Sequence, residues 1–169
     1  MNRNITCCLT GHRPIKLPWG YDETNPNCIK FKKDLKINLI KIIKKGYMIF
    51  LTGMAEGFDM IATELLLKLQ RKYKDIQIIA VLPCKNQEIL WSKIQQKRYH
   101  KIIKNCNDRI FLNDKYTYNC MFERNNYMVK NSSLVFACYD GKSGGTANTI
   151  KLAQQNNCKI YIIDINKYK

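Results

Sequence analysis

Short apolar segments alternate with longer amphipathic segments along the whole chain. The apolar segments are rich in β-branched and aromatic residues and predict strands at residues 5–9, 47–51, 76–82, 109–112, 134–138 and 159–164. Apolar residues at three- and four-residue steps predict helices at residues 29–45, 58–72, 87–104, 118–130 and 145–156. Strands that are apolar on both faces and alternate with helices predict an α/β fold, a Rossmann-like three-layer sandwich with a mostly parallel sheet of about six strands.

Several element boundaries are marked by individual residues. Gly46 follows the first helical segment, where glycine commonly ends a helix. Pro83 ends the third strand, and Asn86 fits the N-cap of the helix that follows. Asp108 fits either the turn before the fourth strand or the strand itself. Trp91 fits a core position, with stacking on a nucleotide base as the alternative.

Length and composition predict one domain spanning residues 1–169, because 169 residues carry no linker, repeat or low-complexity tract. No apolar run approaches the roughly 20 residues of a membrane span, and the N-terminus lacks a signal peptide, so we expect a cytoplasmic protein without a membrane partner. The eight cysteines include no C-x-x-C pair. We therefore expect buried thiols, no metal site and no cofactor.

The formal net charge is +16, from 29 Lys and Arg residues against 13 Asp and Glu residues. Such a surplus attracts polyanions and nucleotides. The lysines are spread over several helix faces rather than clustered, which favours a dispersed solvated surface over a dedicated nucleic-acid patch. Nucleic acid is therefore an alternative partner and not the favoured one.

The loop after the first strand, "TGHRP", carries residues suited to an anion. In open α/β sheets, ligands bind at the carboxyl ends of the strands. Thr10 and Gly11 permit close approach of the backbone, Arg13 can grip a phosphate or carboxylate in bidentate fashion, and His12 can donate to an anion or titrate near neutral pH. In the alternative interpretation, Pro14 sets a turn and His12 packs against a neighbour.

The loop after the second strand, "TGMAEGFD", holds two glycines and two carboxylates. Gly53 can take positive φ, and the next helix begins near Gly57, so its amides could face a ligand. Glu56 and Asp59 suit ribose hydroxyls, although Asp59 alone would also complement the helix dipole. Neither a dinucleotide-binding fingerprint nor a Walker-type phosphate loop is present, which argues against a Walker-type NTPase.

The loop after the fifth strand, "SGGTANTI", begins a helix. Gly144 and Gly145 permit a compact turn, and Thr146 and Thr149 offer hydroxyl groups. The amides from Gly145 to Asn148 would form an anion nest at the helix N-terminus. A tight strand-to-helix connection would also explain the glycines. Convergence of three such loops on one edge of a sheet favours a binding site.

The motifs "TGHRP", "TGMAEGFDMIATE", "RNNYMV" and "GGTANTI", in this order and spacing, resemble the SLOG superfamily, specifically its DUF1273 or YpsA-like branch. The resemblance covers essentially the whole chain and implies a Rossmann-like fold and a homo-oligomer. The superfamily includes the LOG phosphoribohydrolases, the DNA-processing protein DprA and sensor domains of bacterial defence systems that bind nucleotide-derived signals.

The LOG enzymes cleave an N-glycosidic bond, and this chain matches part of their sequence pattern. Arg124 and Met128 match the first part of the LOG pattern, and Gly145 with Thr146 match its "GT". The position of the catalytic glutamate is Thr149, which cannot act as a carboxylate, so the resemblance implies binding more than catalysis. Four other carboxylates are candidates to replace it: Glu56, Asp59, Glu64 and Glu123.

The favoured hypothesis is a sensor or sequestering protein for a nucleotide-derived small molecule, such as a nucleoside phosphate or an ADP-ribose-like signal in phage defence or counter-defence. The phosphate would lie on residues 144–146 with help from Arg13 or Arg124, and Glu56 or Asp59 would hold the ribose. The alternatives are a nucleotide N-glycosidic hydrolase of LOG type and a single-stranded DNA-binding protein of DprA type.

Overall fold

A six-stranded sheet, in which every strand pairs in parallel with its neighbours, organises the chain. The computed structural model describes residues 1–169. The strands are β1 Thr6–Gly11, β2 Ile49–Thr52, β3 Gln77–Leu82, β4 Asp108–Phe111, β5 Leu134–Tyr139 and β6 Lys159–Asp164. The helices are α1 Pro26–Lys44, α2 Phe58–Gln70, α3 Lys93–Lys104, α4 Cys120–Lys130 and α5 Gly145–Gln155, with short 3₁₀ turns at Arg3–Ile5, Pro14–Lys16 and Ile165–Tyr168.

The strand order is β4-β3-β2-β1-β5-β6. The chain therefore winds outward from β1 to β4 and then crosses to the other side of β1 for β5 and β6. Helices α1, α2 and α3 pack on one face of the sheet, and α4 and α5 pack on the other. The predicted Rossmann-like α/β fold is confirmed. The strand order reverses between β1 and β5, the place where such sheets bind ligands.

Successive side chains of a strand point to opposite faces of the sheet, and this alternation divides the core into two layers. On β1, the neighbours Cys7 and Cys8 point to opposite faces and belong to different clusters of buried side chains. On the α1 and α2 face, Phe58 of α2 meets Phe136 of β5 edge to face, with ring centroids 6.0 Å apart. On the other face, Met128 of α4 packs among the strand residues. Both helical layers are therefore fixed against the central strands β1 and β5.

Burial of every strand on both faces was predicted, and this is wrong for the two edge strands. On β6, Tyr161 is 39% exposed and Ile162 is 46% exposed. On β4, Asp108 is exposed and forms the first residue of the strand. An edge strand lacks a neighbour on one side, and its apolar residues are covered only where a helix reaches them.

The third helix begins six residues later than predicted, at Lys93 instead of residue 87. Ser92 caps it by accepting a hydrogen bond from the Gln95 amide at 3.3 Å. Asn86 has a φ of 58° and lies in a turn, so it is not the N-cap. Trp91 packs edge to face on Tyr99 with centroids 5.4 Å apart and contacts the core. Gly46, with a φ of 91°, ends the first helix as predicted.

The apolar face of each helix is used against the sheet. No helix of the chain combines the length and the apolar character that crossing a membrane requires.

All eight cysteines are free thiols, and only Cys106 is not fully buried. Burial raises the pKa of Cys106 to about 11.

A candidate anion-binding cleft at the switch point

A cleft of about 260 Å³ opens at the carboxyl ends of β1 and β5. The loop after β1, the N-terminus of α5 and one face of α4 form its walls, and the loop after β2 contributes Ala55 and Asp59. Of the fourteen candidate residues, nine line this cleft: Thr10, Gly11, His12, Arg13, Asp59, Arg124, Gly144, Gly145 and Thr146. Five do not line it: Gly53, Glu56, Gly57, Asn148 and Thr149.

Arg124 is a buried guanidinium on α4, only 7% exposed, at the wall of the cleft. Its Nη1 donates to the Gly53 carbonyl oxygen at 2.8 Å, and its Nε donates to Asn125 Oδ1 at 2.8 Å. Its Nη2 donates to no protein acceptor, and no carboxylate forms an ion pair with it. Burial lowers the pKa of Arg124, yet arginine stays charged in proteins. A buried charge of this kind calls for an anionic partner.

Asp59 lies in the first turn of α2 and is also buried. Its Oδ2 accepts a hydrogen bond from the Ala55 amide at 3.2 Å. Burial raises the pKa of Asp59 to about 6, although the positive charge of Arg124, the Ala55 amide and Arg13 each lower it. The carboxyl group therefore titrates in mildly acidic solution. It can accept hydrogen bonds from hydroxyl groups of a ligand, and it compensates Arg124 only in part.

His12 connects the loops after β1 and β5. Its Nδ1 lies 3.5 Å from Thr146 Oγ1, and its Nε2 lies 3.0 Å from Asp140 Oδ1. The Asp140 oxygen is within ion-pair distance but off the direction of a hydrogen bond, so Nε2 has no aligned acceptor. Burial lowers the pKa of His12, Asp140 opposes this, and Lys16 adds to it. The imidazole is therefore neutral near pH 7 in the free protein.

Three further cations border the cleft: Arg13, Lys16 and Lys142. None of them forms an ion pair within the chain. Lys16 Nζ donates to the Ser143 carbonyl oxygen at 3.1 Å and so ties the turn after β1 to the glycine loop. Sequence patterns did not single out Lys16 and Lys142, although Lys142 directly precedes the loop "SGGTANTI" and Lys16 lies two residues after "TGHRP". With Arg124 they give the cleft a positive field.

The N-terminus of α5 presents unpaired amides to the cleft. Gly144 is the N-cap residue with a φ of 145°, and no side chain caps this helix. The amides of Gly145, Thr146 and Ala147 donate to no acceptor in the chain, whereas the Asn148 amide donates to the Gly144 carbonyl oxygen at 3.0 Å. Free amides at the positive end of a helix dipole form an anion site.

Gly53 and Gly57 do not line the cleft, but each helps to position a residue that does. The positive φ expected at Gly53 is found instead at the next residue, Met54, with a φ of 53°. A Cβ atom on Gly53 would lie 1.9 Å from Arg124 Nη1, so glycine makes room for the guanidinium. Gly57 has a φ of 89°, and the Phe58 amide that follows donates to the His12 carbonyl oxygen at 3.1 Å. The α2 N-terminus thus holds the loop after β1.

The remaining carboxylates lie away from the cleft. Glu56 accepts a hydrogen bond from Tyr21 at 3.3 Å, Glu64 pairs with Arg98 at 2.7 Å, and Glu123 accepts from Asn113 at 3.0 Å. Thr149 donates its hydroxyl to the Gly145 carbonyl oxygen at 2.9 Å, back toward its own helix. Only Asp59 of the four candidate carboxylates lines the cleft. No group of three side chains suited to metal coordination occurs in the chain.

The sequence profile named YpsA, described as the YspA SLOG family, matches residues 7–168. The chain therefore belongs to this SLOG family. The prophage-derived protein YoqJ of Bacillus subtilis is 30% identical over 144 residues, which cover 78% of this chain and 84% of that protein. A UPF0398 protein of Brevibacillus brevis is 25% identical over 156 residues, covering 88% and 81%.

Solved structures of DNA processing protein A share the fold of this SLOG protein. The Helicobacter pylori protein, whose structure describes a single-stranded DNA-binding mode, aligns with a TM-score of 0.63 and 20% identity, over 96% of this chain and 69% of its own. The Streptococcus pneumoniae protein, DprA, aligns with a TM-score of 0.57 and 12% identity, over 93% and 50%. These likenesses show a common fold.

Proposed function

We propose that the cleft binds the phosphate group of a nucleotide-derived small molecule, such as a nucleoside phosphate or an ADP-ribose-like signal. The observation that carries this proposal is Arg124, a buried guanidinium with a free Nη2 and no carboxylate in ion-pair contact. An unpaired buried charge is costly unless the protein uses it to recognise an opposite charge.

The phosphate would occupy the space between Arg124 Nη2 and the free amides at residues 145–147, which line the same cleft. Planar guanidinium groups and helix N-termini are two favoured phosphate donors. Arg13 and Lys16 would add positive charge at the rim. Asp59 would accept hydrogen bonds from ribose hydroxyls. The volume of about 260 Å³ suits one nucleotide better than a large ligand, because drug-sized pockets begin near roughly 300 Å³.

Binding without turnover fits the geometry better than N-glycosidic hydrolysis does. Thr149 occupies the position of the LOG glutamate, and its hydroxyl donates to the Gly145 carbonyl oxygen at 2.9 Å instead of facing a ligand. A sensor or sequestering role follows. The prophage origin of the related YoqJ protein supports sequestration of a host signal.

The test is calorimetric titration and thermal unfolding with inorganic phosphate, adenosine 5′-monophosphate and ADP-ribose. A ligand at 100 times its Kd adds about 2.7 kcal/mol to the free energy of unfolding, which raises the melting midpoint visibly. Arg124→Ala should weaken binding by about tenfold or more, whereas Arg71→Ala, which removes the same charge at the exposed end of α2, should not. Recovery of intact ligand by chromatography distinguishes binding from hydrolysis. Absence of any midpoint shift with all three probes would refute the proposal.

A second candidate is single-stranded DNA binding. Two observations favour it: the fold shared with DNA processing protein A, and the net charge of +16. Binding through phosphates releases counterions, so the association constant should fall steeply as salt concentration rises. Binding of an oligonucleotide that does not change with salt would exclude this mode.

The family resemblance also supports a homo-oligomer, which we propose for this chain. Light scattering during size-exclusion chromatography measures the molar mass directly. A mass of 19.9 kDa at every concentration would show a monomer and overturn this part of the proposal.

A further inference from the structure

Three aromatic side chains stand exposed beside the cleft, where β4 leads into α4. Tyr118 is 95% exposed and Tyr116 is 69% exposed, and Phe122 in the first turn of α4 is also largely exposed. We call these three residues, Tyr116, Tyr118 and Phe122, the aromatic edge. Large aromatic rings are usually buried, so a group of exposed rings indicates a contact with a partner.

The segment that carries the aromatic edge is anchored to the rest of the fold. Asn113 Nδ2 donates to the Pro83 carbonyl oxygen at 3.0 Å and to Glu123 Oε2 at 3.0 Å. Lys85 pairs with Asp114 at 2.7 Å. The Leu112 amide continues the sheet pattern by donating to the Leu82 carbonyl oxygen at 3.0 Å. The chain is therefore tied to the fold at residues 112–114, directly before the two tyrosines.

The aromatic edge is continuous with the wall of the cleft. Tyr118 precedes Met121, which lines the cleft, by three residues, so their Cα atoms lie within about 11 Å. Phe122 and Asn125 are three residues apart on α4 and therefore share a helix face, and Asn125 also lines the cleft. A ligand that extends from the phosphate site toward the N-terminus of α4 would therefore come near Tyr118 and Phe122.

We propose that the aromatic edge is a base-stacking surface for single-stranded DNA whose backbone phosphate lies in the cleft. This inference rests on the proposed phosphate site and extends its ligand from one nucleotide to a strand. Tyrosine and phenylalanine rings stack on any base, and such stacking is sequence-tolerant. Lys115, which forms no ion pair, lies directly beside Tyr116 in the run "KYTY", so a cation that can contact a phosphate adjoins the rings.

Electrostatics favour a polyanion on this surface. The chain carries a net charge of +16, and a DNA strand neutralises such a charge. Leu90, on the neighbouring loop, is 93% exposed and offers apolar area without a ring. It therefore serves as a matched control, because a protein partner would use this area and a stacking base would not.

The experiment compares a fluorescein-labelled oligo(dT) of roughly 12 nucleotides with thymidine 5′-monophosphate, by fluorescence anisotropy and calorimetry respectively. The variants are Tyr118→Ala, Tyr118→Phe and Leu90→Ala. We expect Tyr118→Ala to weaken oligo(dT) binding by about fivefold or more and to leave binding of the mononucleotide unchanged. Tyr118→Phe keeps the ring and should bind the oligonucleotide like the unaltered protein, as should Leu90→Ala.

Several results would overturn the inference. Oligo(dT) binding no tighter than that of the mononucleotide, or equal binding by Tyr118→Ala, would show that the rings do not stack. An equal loss with Leu90→Ala, or self-association that Tyr118→Ala abolishes in sedimentation, would assign the surface to a protein contact. Failure of the mononucleotide to bind at all, with oligo(dT) binding retained, would instead refute the phosphate site proposed for single nucleotides.

Discussion

Arg124 Nη1 donates a hydrogen bond of 2.8 Å to the carbonyl oxygen of Gly53, a residue 71 positions earlier in the chain. This bond joins α4 on one face of the sheet to the loop after β2. It fixes the plane of the guanidinium and leaves Nη2 for a ligand. A donor held in place before binding loses little conformational freedom when the ligand arrives, which favours affinity.

Gly53→Ala tests this arrangement. The new Cβ atom would lie 1.9 Å from Arg124 Nη1, so the guanidinium must leave its position and its bond to residue 53. We expect a loss of about 1–3 kcal/mol in the free energy of unfolding, because a buried side chain is displaced and a charge loses its hydrogen bond. Ligand binding should fall as strongly as with Arg124→Ala. Urea unfolding and calorimetric titration measure the two effects.

The matched control is Gly145→Ala, because a Cβ atom at Gly145 meets no heavy atom within 4 Å. Its free energy of unfolding should stay within about 0.5 kcal/mol of the unaltered protein or rise slightly, since alanine favours a helix. If Gly53→Ala is as stable as Gly145→Ala, the close approach of Arg124 to the loop is not a constraint on residue 53.

The hydrophobic pattern predicted the order and type of all six strands and five helices, because central strands need apolar residues on both faces. It failed at residues 83–92, where apolar residues such as Leu90 continue the helical spacing but lie in exposed turns. It also failed at the exposed face of β6. Strand order decides which strands lie at the edge, and it depends on contacts distant in sequence.

The candidate site was predictable to the extent that it lies on loops after strands. The contacts of Gly53 and Gly57 were not predictable, because they hold Arg124 and His12 from distant segments. Lys142 was predictable in principle, since it lies directly before the glycine loop that it borders. The sequence shows a residue's place in a motif, but only the folded structure shows how far that residue lies from a helix N-terminus.

Because of Asp59, the free energy of unfolding should change with pH in mildly acidic solution. Its pKa is about 6 in the folded protein against an ordinary value of 3.8, so the folded state binds more protons between about pH 4 and pH 6. The contribution of this group to the free energy of unfolding is therefore present below about pH 4 and is lost as pH rises through 6. Asp59→Asn should remove this slope, measured by urea unfolding across that range. Asp75→Asn, at an exposed turn, provides the control and should keep the slope.

Arg98 should contribute more to stability than the exposed ion pairs do. It pairs with Glu64 of α2 at 2.7 Å and with Glu23 of the loop before α1, and Lys32 pairs with the same Glu23 at 2.5 Å. Arg98→Ala would leave two half-buried carboxylates without this partner, so we expect a loss of about 1–2 kcal/mol.

The matched control for Arg98 is Lys85→Ala, which breaks the exposed pair with Asp114 and should cost less than about 0.5 kcal/mol. Urea unfolding at pH 7 in low and high salt compares the two variants. Equal losses would show that the network around Arg98 is no stronger than a surface pair.

Phosphate binding should raise the pKa of His12. In the free protein, burial and the charge of Lys16 lower this pKa, and Asp140 opposes them. A phosphate beside Thr146 would bring negative charge close to the imidazole and favour its protonated form. Because the pKa is then higher in the bound state, affinity should increase as pH falls through the interval between the free and bound values.

Nitrogen-detected NMR titration with adenosine 5′-monophosphate measures the shift, and the signal of the exposed His100 serves as the internal reference. Two variants check the cause without ligand: Lys16→Ala should raise the pKa of His12, and Asp140→Asn should lower it. A His12 titration that stays the same when the nucleotide is bound would place the phosphate elsewhere than at the N-terminus of α5.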